Sequence, residues 1–113
     1  MLARGQRLTR HRDIARVVRA GRSLAGRTLV LHVLPTAAPQ PRFAILVSSH
    51  VAKRAVDRNR VKRRIRAALA GLQSNLPPGL ALLVRVRRAA LSRTTAELTQ
   101  EIRRTLTSHA LLP

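Results

Sequence analysis

The chain has 113 residues, of which 45% are hydrophobic, and this length and composition suit one small domain over residues 1–113 with a single buried core. Its formal charge is +19, from 23 basic and 4 acidic residues, and a positive field of this size favours a polyanionic partner. The absence of Cys excludes disulfides and thiolate metal sites, and no apolar run has transmembrane length, so we expect a cytoplasmic protein with no membrane association.

The order of apolar patterns in the first half of the chain predicts a helix followed by two strands. Residues 9–20 have apolar side chains at helical spacing, and Gly21 follows as a stop signal. Residues 28–34, TLVLHVL, are typical of a strand, which Pro35 ends. Residues 43–47 predict a second strand after a loop that contains two prolines, and we expect the two strands to pair as a hairpin.

The middle of the chain predicts a longer helix and a third strand. The helix is expected over residues 52–72, where Ser48 or Ser49 can cap its first turn. The sequence NLPPG at 75–79 is a clear break, because neither Pro nor Gly continues a helix. Residues 80–86 then predict the third strand.

The last part of the chain predicts one more helix. Thr94 and Glu97 have the spacing of a capping box, and Leu98, Ile102 and Leu106 follow at i, i+4 and i+8. The predicted order is therefore αββαβα, an α+β sandwich in which helices pack on a small sheet.

The most unusual segment is residues 53–66, KRAVDRNRVKRRIR, with eight basic residues and one acid. On a helical wheel, Val61, Ile65 and Leu72 fall on one stripe, which we expect to dock against the sheet. The opposite side carries Asn59, Arg60, Lys62, Arg63 and Arg66. A solvated charged surface is the ordinary interpretation of such a run, but so few acids leave its repulsion uncompensated, which favours nucleic acid as the partner.

The sequence offers few groups for catalysis by the protein itself. We expect Asp57 and Glu97 to stabilise helix starts, and Asp13 and Glu101 to pair with nearby Arg. The four histidines lack the spacing of a metal site, and no Gly-rich phosphate loop follows a strand. If the chain takes part in catalysis, the reactive groups should belong to a partner.

Aromatic content limits how bases can be recognised. Phe43 is the only aromatic residue, since the chain has no Tyr or Trp, and we expect it in the core. Recognition should therefore depend mainly on phosphate and shape.

Residues 55–66, AVDRNRVKRRIR, resemble the signature of the bacterial ribonuclease P protein component: an Ala, then Arg-Asn-Arg, an aliphatic, two basic residues, a spacer, an aliphatic and a basic residue. Every position matches, and the order of predicted elements fits along nearly the whole chain. The resemblance implies a sheet with a left-handed βαβ crossover, an exception to the usual handedness that is shared with a ribosomal-protein superfamily.

The resemblance also implies a function and a set of site residues. The protein would be a monomer in a 1:1 complex with ribonuclease P RNA, which, with bound Mg²⁺, cleaves precursor tRNA to form the mature 5′ end. The protein would supply no catalytic residue and bind no cofactor alone. Residues implied to contact the catalytic RNA are Arg58, Asn59, Arg60, Lys62, Arg63 and Arg66. Residues implied in or near a cleft for the 5′ leader, between the first helix and the sheet, are Ile14, Val18, His32, Phe43, Val47, Lys53 and Arg54.

The chain departs from the family pattern at two places. Aromatics that members commonly carry in the cleft are replaced by Ile14, Val18 and His32, so apolar and phosphate contacts should serve instead. A basic pair after the second strand is replaced by Ser49 and His50. The same charge has two other interpretations. One is an RNA-binding protein of the ribosomal or chaperone class, and the other is a DNA-binding regulator, for which we expect a helix-turn-helix that the sequence does not show.

Overall fold

The computed structural model describes residues 11–109 and 111 and contains a four-stranded sheet with three α-helices. The elements in chain order are α1 (His11–Ala20), β1 (Arg22–Ala25), β2 (Leu29–Pro35), β3 (Arg42–Leu46), α2 (Ala55–Leu72), β4 (Leu80–Val86) and α3 (Thr95–Ser108). Short 3₁₀ turns follow α2 at Gln73–Asn75 and β4 at Arg88–Ser92. Thr9 and Arg10, the predicted first residues of α1, lie outside the described residues. No helix in the part of the chain that is described has the length and apolarity needed to cross a membrane.

The α+β class is confirmed. The element order is αβββαβα, which differs from the predicted order by the short strand β1 between α1 and β2. The sheet order is β1-β2-β4-β3, with β3 and β4 parallel and the other pairs antiparallel. The predicted hairpin between β2 and β3 is therefore wrong. Strand β4 lies between them, and its almost fully buried run LALLV is typical of a central strand covered on both faces. The handedness of the β3–α2–β4 crossover stays a prediction.

The two faces of the sheet pack against different helices. Side chains at alternate positions of each strand, among them Leu31, Phe43 and Leu82, form the main core with α2 and α3. The intervening positions Ala44 and Leu83 form a smaller cluster with α1 on the other face. Farther along this second face, Leu46 and Arg85 are exposed.

Helix α2 starts later than the sequence predicts. It begins at Ala55, and Arg54 at its N-cap provides no side-chain bond. Ser48 instead organises a turn before the helix, since its carbonyl oxygen accepts from the N–H groups of Val51 and Ala52 at 3.1 and 3.2 Å. The prediction of a serine cap on α2 is therefore wrong, although the break after the helix is confirmed. Gly79 in that break has φ 80°, and a Cβ there would lie 2.3 Å from the carbonyl oxygen of Thr36.

Helix α3 begins with the predicted capping box. Thr94 Oγ1 accepts from the N–H of Glu97 at 3.1 Å, and Glu97 Oε1 accepts from the N–H of Thr94 at 3.0 Å. These bonds to Thr94 lower the pKa of Glu97 below its usual value, with a smaller contribution from Arg93. One turn later, Glu101 accepts three bonds from Thr28 and Leu29, rather than pairing with Arg as expected. Helix α3 is thereby fixed to the start of β2.

Candidate nucleic-acid interface

The outward face of α2 is a row of basic and amide side chains. Val61, Ile65 and Leu72 are buried against the sheet, as the helical wheel predicts. On the other side Asn59, Arg60 and Arg63 are exposed, and Lys62 and Arg66 are half-buried. We call this set of five residues the α2 basic face. A rigid row of cations on one helix is suited to contacts with phosphates, which fix register and orientation without reading sequence.

Among the described acids, Asp57 is the one that forms an ion pair with the α2 basic face. Asp57 lies in the first turn of α2, where a carboxylate interacts favourably with the helix dipole. Its Oδ1 is 3.8 Å from Nη1 of Arg60, and both side chains are well exposed, so the pair neutralises little. The repulsion among the remaining cations is therefore left for a partner to relieve.

Arg58 has a local role that the sequence did not reveal. Its Nη1 donates to the carbonyl oxygens of Ala52 and Lys53, at 2.8 Å each. These bonds tie the first turn of α2 to the segment that precedes it. A guanidinium has five donors, so a contact of Arg58 with RNA stays a prediction, but this side chain is also part of the scaffold.

Arg64, which was not predicted as a site residue, also acts within the protein. Its Nη1 donates to the carbonyl oxygens of Leu91 and Arg93, at 3.2 and 3.0 Å. The side chain therefore links α2 to the segment that leads into α3. A helical wheel places Arg64 near the docking stripe, and this position in the sequence pattern indicates a contact within the protein.

A groove of about 700 Å³ lies where β3 and β4 end. Its lining residues are Val30, Leu46, Val47, Ser48, His50, Val51, Arg85, Val86, Arg87 and Arg88. We call this feature the sheet-end groove. Its floor is aliphatic, its cationic side chains are arginines, and none of its lining residues is acidic. Such a surface suits a single-stranded polyanion, whose bases can contact the floor while phosphates meet the arginines.

Hydrogen bonds fix one wall of the sheet-end groove. Nη2 of Arg88 donates to the carbonyl oxygen of His50 at 3.1 Å, which joins the end of β4 to the segment between β3 and α2. The bonds of Arg58 hold the same segment from the other side. The groove wall at residues 47–54 is thus connected to α2 through side chains as well as through the backbone.

The predicted cleft residues do not all lie on one surface. Ile14 packs in the α1 cluster, Val18 on α1 is 44% exposed, and His32 is on the strand face that α1 covers. Val47 lines the sheet-end groove, and Lys53 and Arg54 are exposed just before α2.

Phe43 differs from the other predicted residues because it faces α2 and α3, and its implied place in or near the leader cleft stays a prediction. It is 2% exposed and belongs to the core under α2 and α3, which confirms the expectation of a core residue. Its pairing with Leu82 sets this orientation, because neighbouring residues of a strand point to opposite faces. Ala44 and Leu46 take the α1 side instead, and only Leu46 reaches the sheet-end groove.

His32 is buried on the α1 side of the sheet. It is 5% exposed, and among the described residues neither ring nitrogen has a hydrogen-bond partner. Burial lowers the pKa of His32 below its usual value, and the charge of Arg85 lowers it further. The ring is therefore neutral near pH 7 and does not line the sheet-end groove.

The acids of the described chain are dispersed over separate elements. Glu97 caps α3, Glu101 holds the start of β2, and Asp57 lies at the start of α2. Among residues 11–109 and 111, no three His, Cys, Asp or Glu side chains are grouped as metal ligands. The α2 basic face and the sheet-end groove are two of the cationic surfaces that the described side chains form.

Comparison with known proteins assigns the chain to a family. Residues 2–110 match the model of the ribonuclease P protein family. The ribonuclease P protein component of Beutenbergia cavernae is 38% identical over 111 residues, covering 98% of this chain and 93% of the relative. That of Synechococcus elongatus is 39% identical, covering 94% and 91%.

Solved structures of RNase P proteins have the same fold as this chain. The RNase P protein of Staphylococcus aureus superposes with a TM-score of 0.84 at 25% identity, covering 96% of this chain and 98% of that one. The RNase P protein of Thermotoga maritima has a TM-score of 0.80 at 21% identity and shares the fold. From its sequence match over nearly its whole length, the chain belongs to the ribonuclease P protein family.

Proposed function

We propose that this chain is the protein subunit of a ribonuclease P holoenzyme, in which the RNA cleaves precursor tRNA. The α2 basic face binds the catalytic RNA, and the sheet-end groove guides the 5′ leader. The observation that carries the proposal is that two of the protein's cationic surfaces, the α2 basic face and the sheet-end groove, differ in shape. One is a convex helix face and the other a groove with an aliphatic floor.

The convex surface suits a structured RNA. Arg60 and Arg63 project from a helix whose other side is locked in the core by Val61 and Ile65, so the backbone from which they extend is fixed before binding. Only the side chains themselves then have to be ordered on binding phosphates. Binding through phosphates also agrees with the lack of exposed aromatic residues.

The groove suits a single strand. Val30 and Leu46 provide an apolar surface for bases, and Arg85, Arg87 and Arg88 provide positive charge. The leader is the single-stranded part of the substrate, so contacts in the groove distinguish precursor from mature tRNA. In this proposal apolar and phosphate contacts bind the leader, since the chain has no Tyr or Trp and its one Phe is buried.

The chemistry is assigned to the RNA because the described acids and histidines make no catalytic arrangement. Glu101 accepts bonds from Thr28 and Leu29, and the buried His32 has no acidic partner that would orient it as a general base. In the proposed holoenzyme, Mg²⁺ is held by the RNA, and the protein is a monomer in a 1:1 cytoplasmic complex. The protein contributes binding and orientation.

Reconstitution with the cognate RNA tests this function. Cleavage of precursor tRNA is measured against Mg²⁺ concentration with and without the protein, and binding is compared for precursor and mature tRNA. We expect the protein to lower the Mg²⁺ requirement and to tighten precursor binding by about tenfold or more over mature tRNA, since several contacts form with the leader alone. Equal effects on the two RNAs would contradict the proposed role of the groove.

A further inference from the structure

Strand β4 places one charged side chain in the middle of an aliphatic surface. Arg85 is the only exposed residue of β4. Its lateral neighbours in the sheet are Val30 on β2 and Leu46 on β3. All three line the sheet-end groove. Arg85 thus lies on a central strand between two aliphatic residues, and it forms no ion pair with any residue that the structure describes.

The three arginines of the groove differ in what they contact. Arg88 donates to the carbonyl oxygen of His50, and Nη1 of Arg87 approaches that of Gly26 at 3.4 Å. Arg85 makes no hydrogen bond or ion pair to any residue that the structure describes. The guanidinium of Arg85 is therefore available to a ligand, whereas Arg88 also holds one wall of the groove and Arg87 contacts the turn between β1 and β2.

We propose that Arg85 determines how the leader is recognised, by stacking its guanidinium on one nucleobase. The inference rests on the function proposed above and adds the residue and the mode of contact. A guanidinium is planar and weakly hydrated, so it can lie against a base face as an aromatic ring does, which a lysine ammonium cannot. Leu46, which is 39% exposed, extends the apolar surface under the same base, and Val30, which is 5% exposed, contributes a small part of it. This arrangement accounts for a groove that binds a leader without an exposed aromatic.

Three substitutions separate stacking from charge. The contribution of the leader is measured in the holoenzyme as the ratio of dissociation constants for mature and precursor tRNA, at fixed ionic strength. Arg85→Ala and Arg85→Lys should each lower this ratio by about tenfold, which is in the range for one base stacked on a side chain. Arg85→Phe should keep it close to the wild-type value, because a ring replaces the guanidinium plane.

A leader with one abasic nucleotide, moved along the sequence, provides a second measurement. At the position opposite Arg85, removal of the base should weaken wild-type binding by about tenfold and leave binding by Arg85→Ala unchanged. Arg103→Ala is the matched control, because it removes one exposed arginine from α3, outside the groove. It should leave the leader contribution unaltered. Since Arg85 is exposed, the melting temperature of each variant should stay near that of the wild type.

Several outcomes overturn the inference. If Arg85→Lys keeps the wild-type ratio of dissociation constants, Arg85 makes a point-charge contact with phosphate. If Arg85→Ala keeps that ratio, Arg85 makes no contact with the leader. If this ratio falls in Arg85→Phe as well as in Arg85→Lys, Arg85 forms hydrogen bonds to a base edge instead of stacking. A wild-type protein that binds the catalytic RNA but shows no leader contribution would refute the proposed function of the groove itself, which is a distinguishable result.

Discussion

Glu101 is the residue on which the junction of α3 with the sheet depends. Its carboxylate accepts from the N–H of Thr28 at 2.9 Å, the hydroxyl of Thr28 at 2.7 Å and the N–H of Leu29 at 2.8 Å. Hydrogen bonds to a charged group are stronger than neutral ones, and two of these satisfy backbone donors at the start of β2. The turn that precedes β2 is thereby held against α3.

We expect Glu101→Gln to destabilise the protein by about 1–3 kcal/mol, because the amide keeps one acceptor oxygen and presents donors to donors. Urea unfolding followed by circular dichroism measures this change. Thr107→Ala, at an exposed position of the same helix, is the control and should change stability by less than about 0.5 kcal/mol. Equal stability of Glu101→Gln and the wild type would show that the carboxylate bonds are not maintained in solution.

Phe43 shows what a single residue's chemistry can and cannot predict. Its burial follows from its apolar side chain and its strand context, and the structure confirms it. Which face it occupies depends on pairing with Leu82, forty residues away in a strand whose position in the sheet was not predicted. A one-residue shift of register exchanges Phe43 for Ala44, so side-chain pattern alone leaves the lining of the cleft undetermined.

Among the elements, α2 combines a docking stripe and a binding face on one helix. Arg60 and Arg63 are on the exposed side and leave the core contacts of Val61 and Ile65 intact when substituted. We expect Arg60→Gln with Arg63→Gln to weaken binding of the catalytic RNA by about tenfold or more, and to reduce the salt dependence by about two ion equivalents. Filter binding across a salt series measures both.

The matched control removes two charges from a different helix. Arg103→Gln with Arg104→Gln changes net charge equally, at exposed positions of α3. If binding depends on the α2 basic face, the control should retain most of its affinity. Equal losses in the two double variants would instead show that affinity follows total charge.

Helix boundaries and strand order were predictable to different degrees, for physical reasons. The capping box of Thr94 and Glu97 is a local motif, and α3 begins where it indicates. The start of α2 was placed too early because Ser48 can serve either a helix or a turn, and only tertiary contacts choose. Strand β1 has only four residues, and Arg22 and Ser23 are exposed, so its sequence has no clear strand pattern. It forms a strand because it pairs with β2. The wheel of α2 predicted its docking stripe correctly, since that periodicity is local.

At the scale of the whole molecule, a charge of +19 on 113 residues works against compactness. Anions that bind the native state relieve this repulsion and stabilise the fold by mass action. We expect sulfate or phosphate to raise the melting temperature more than sodium chloride at the same ionic strength, with a gain of about 2.7 kcal/mol at a hundred times the dissociation constant. A melting temperature that responds equally to all salts would indicate simple screening.

The β3–α2–β4 crossover places both proposed RNA contacts on one continuous stretch of chain. Residues 47–54 contribute to a wall of the groove and lead into α2. Arg88 holds this segment at His50, and Arg58 holds it at Ala52 and Lys53. In the proposed holoenzyme, binding of α2 to the catalytic RNA fixes the distance between the groove and the scissile bond. This distance determines which leader nucleotide, at a given number of positions from the cleavage site, the groove binds.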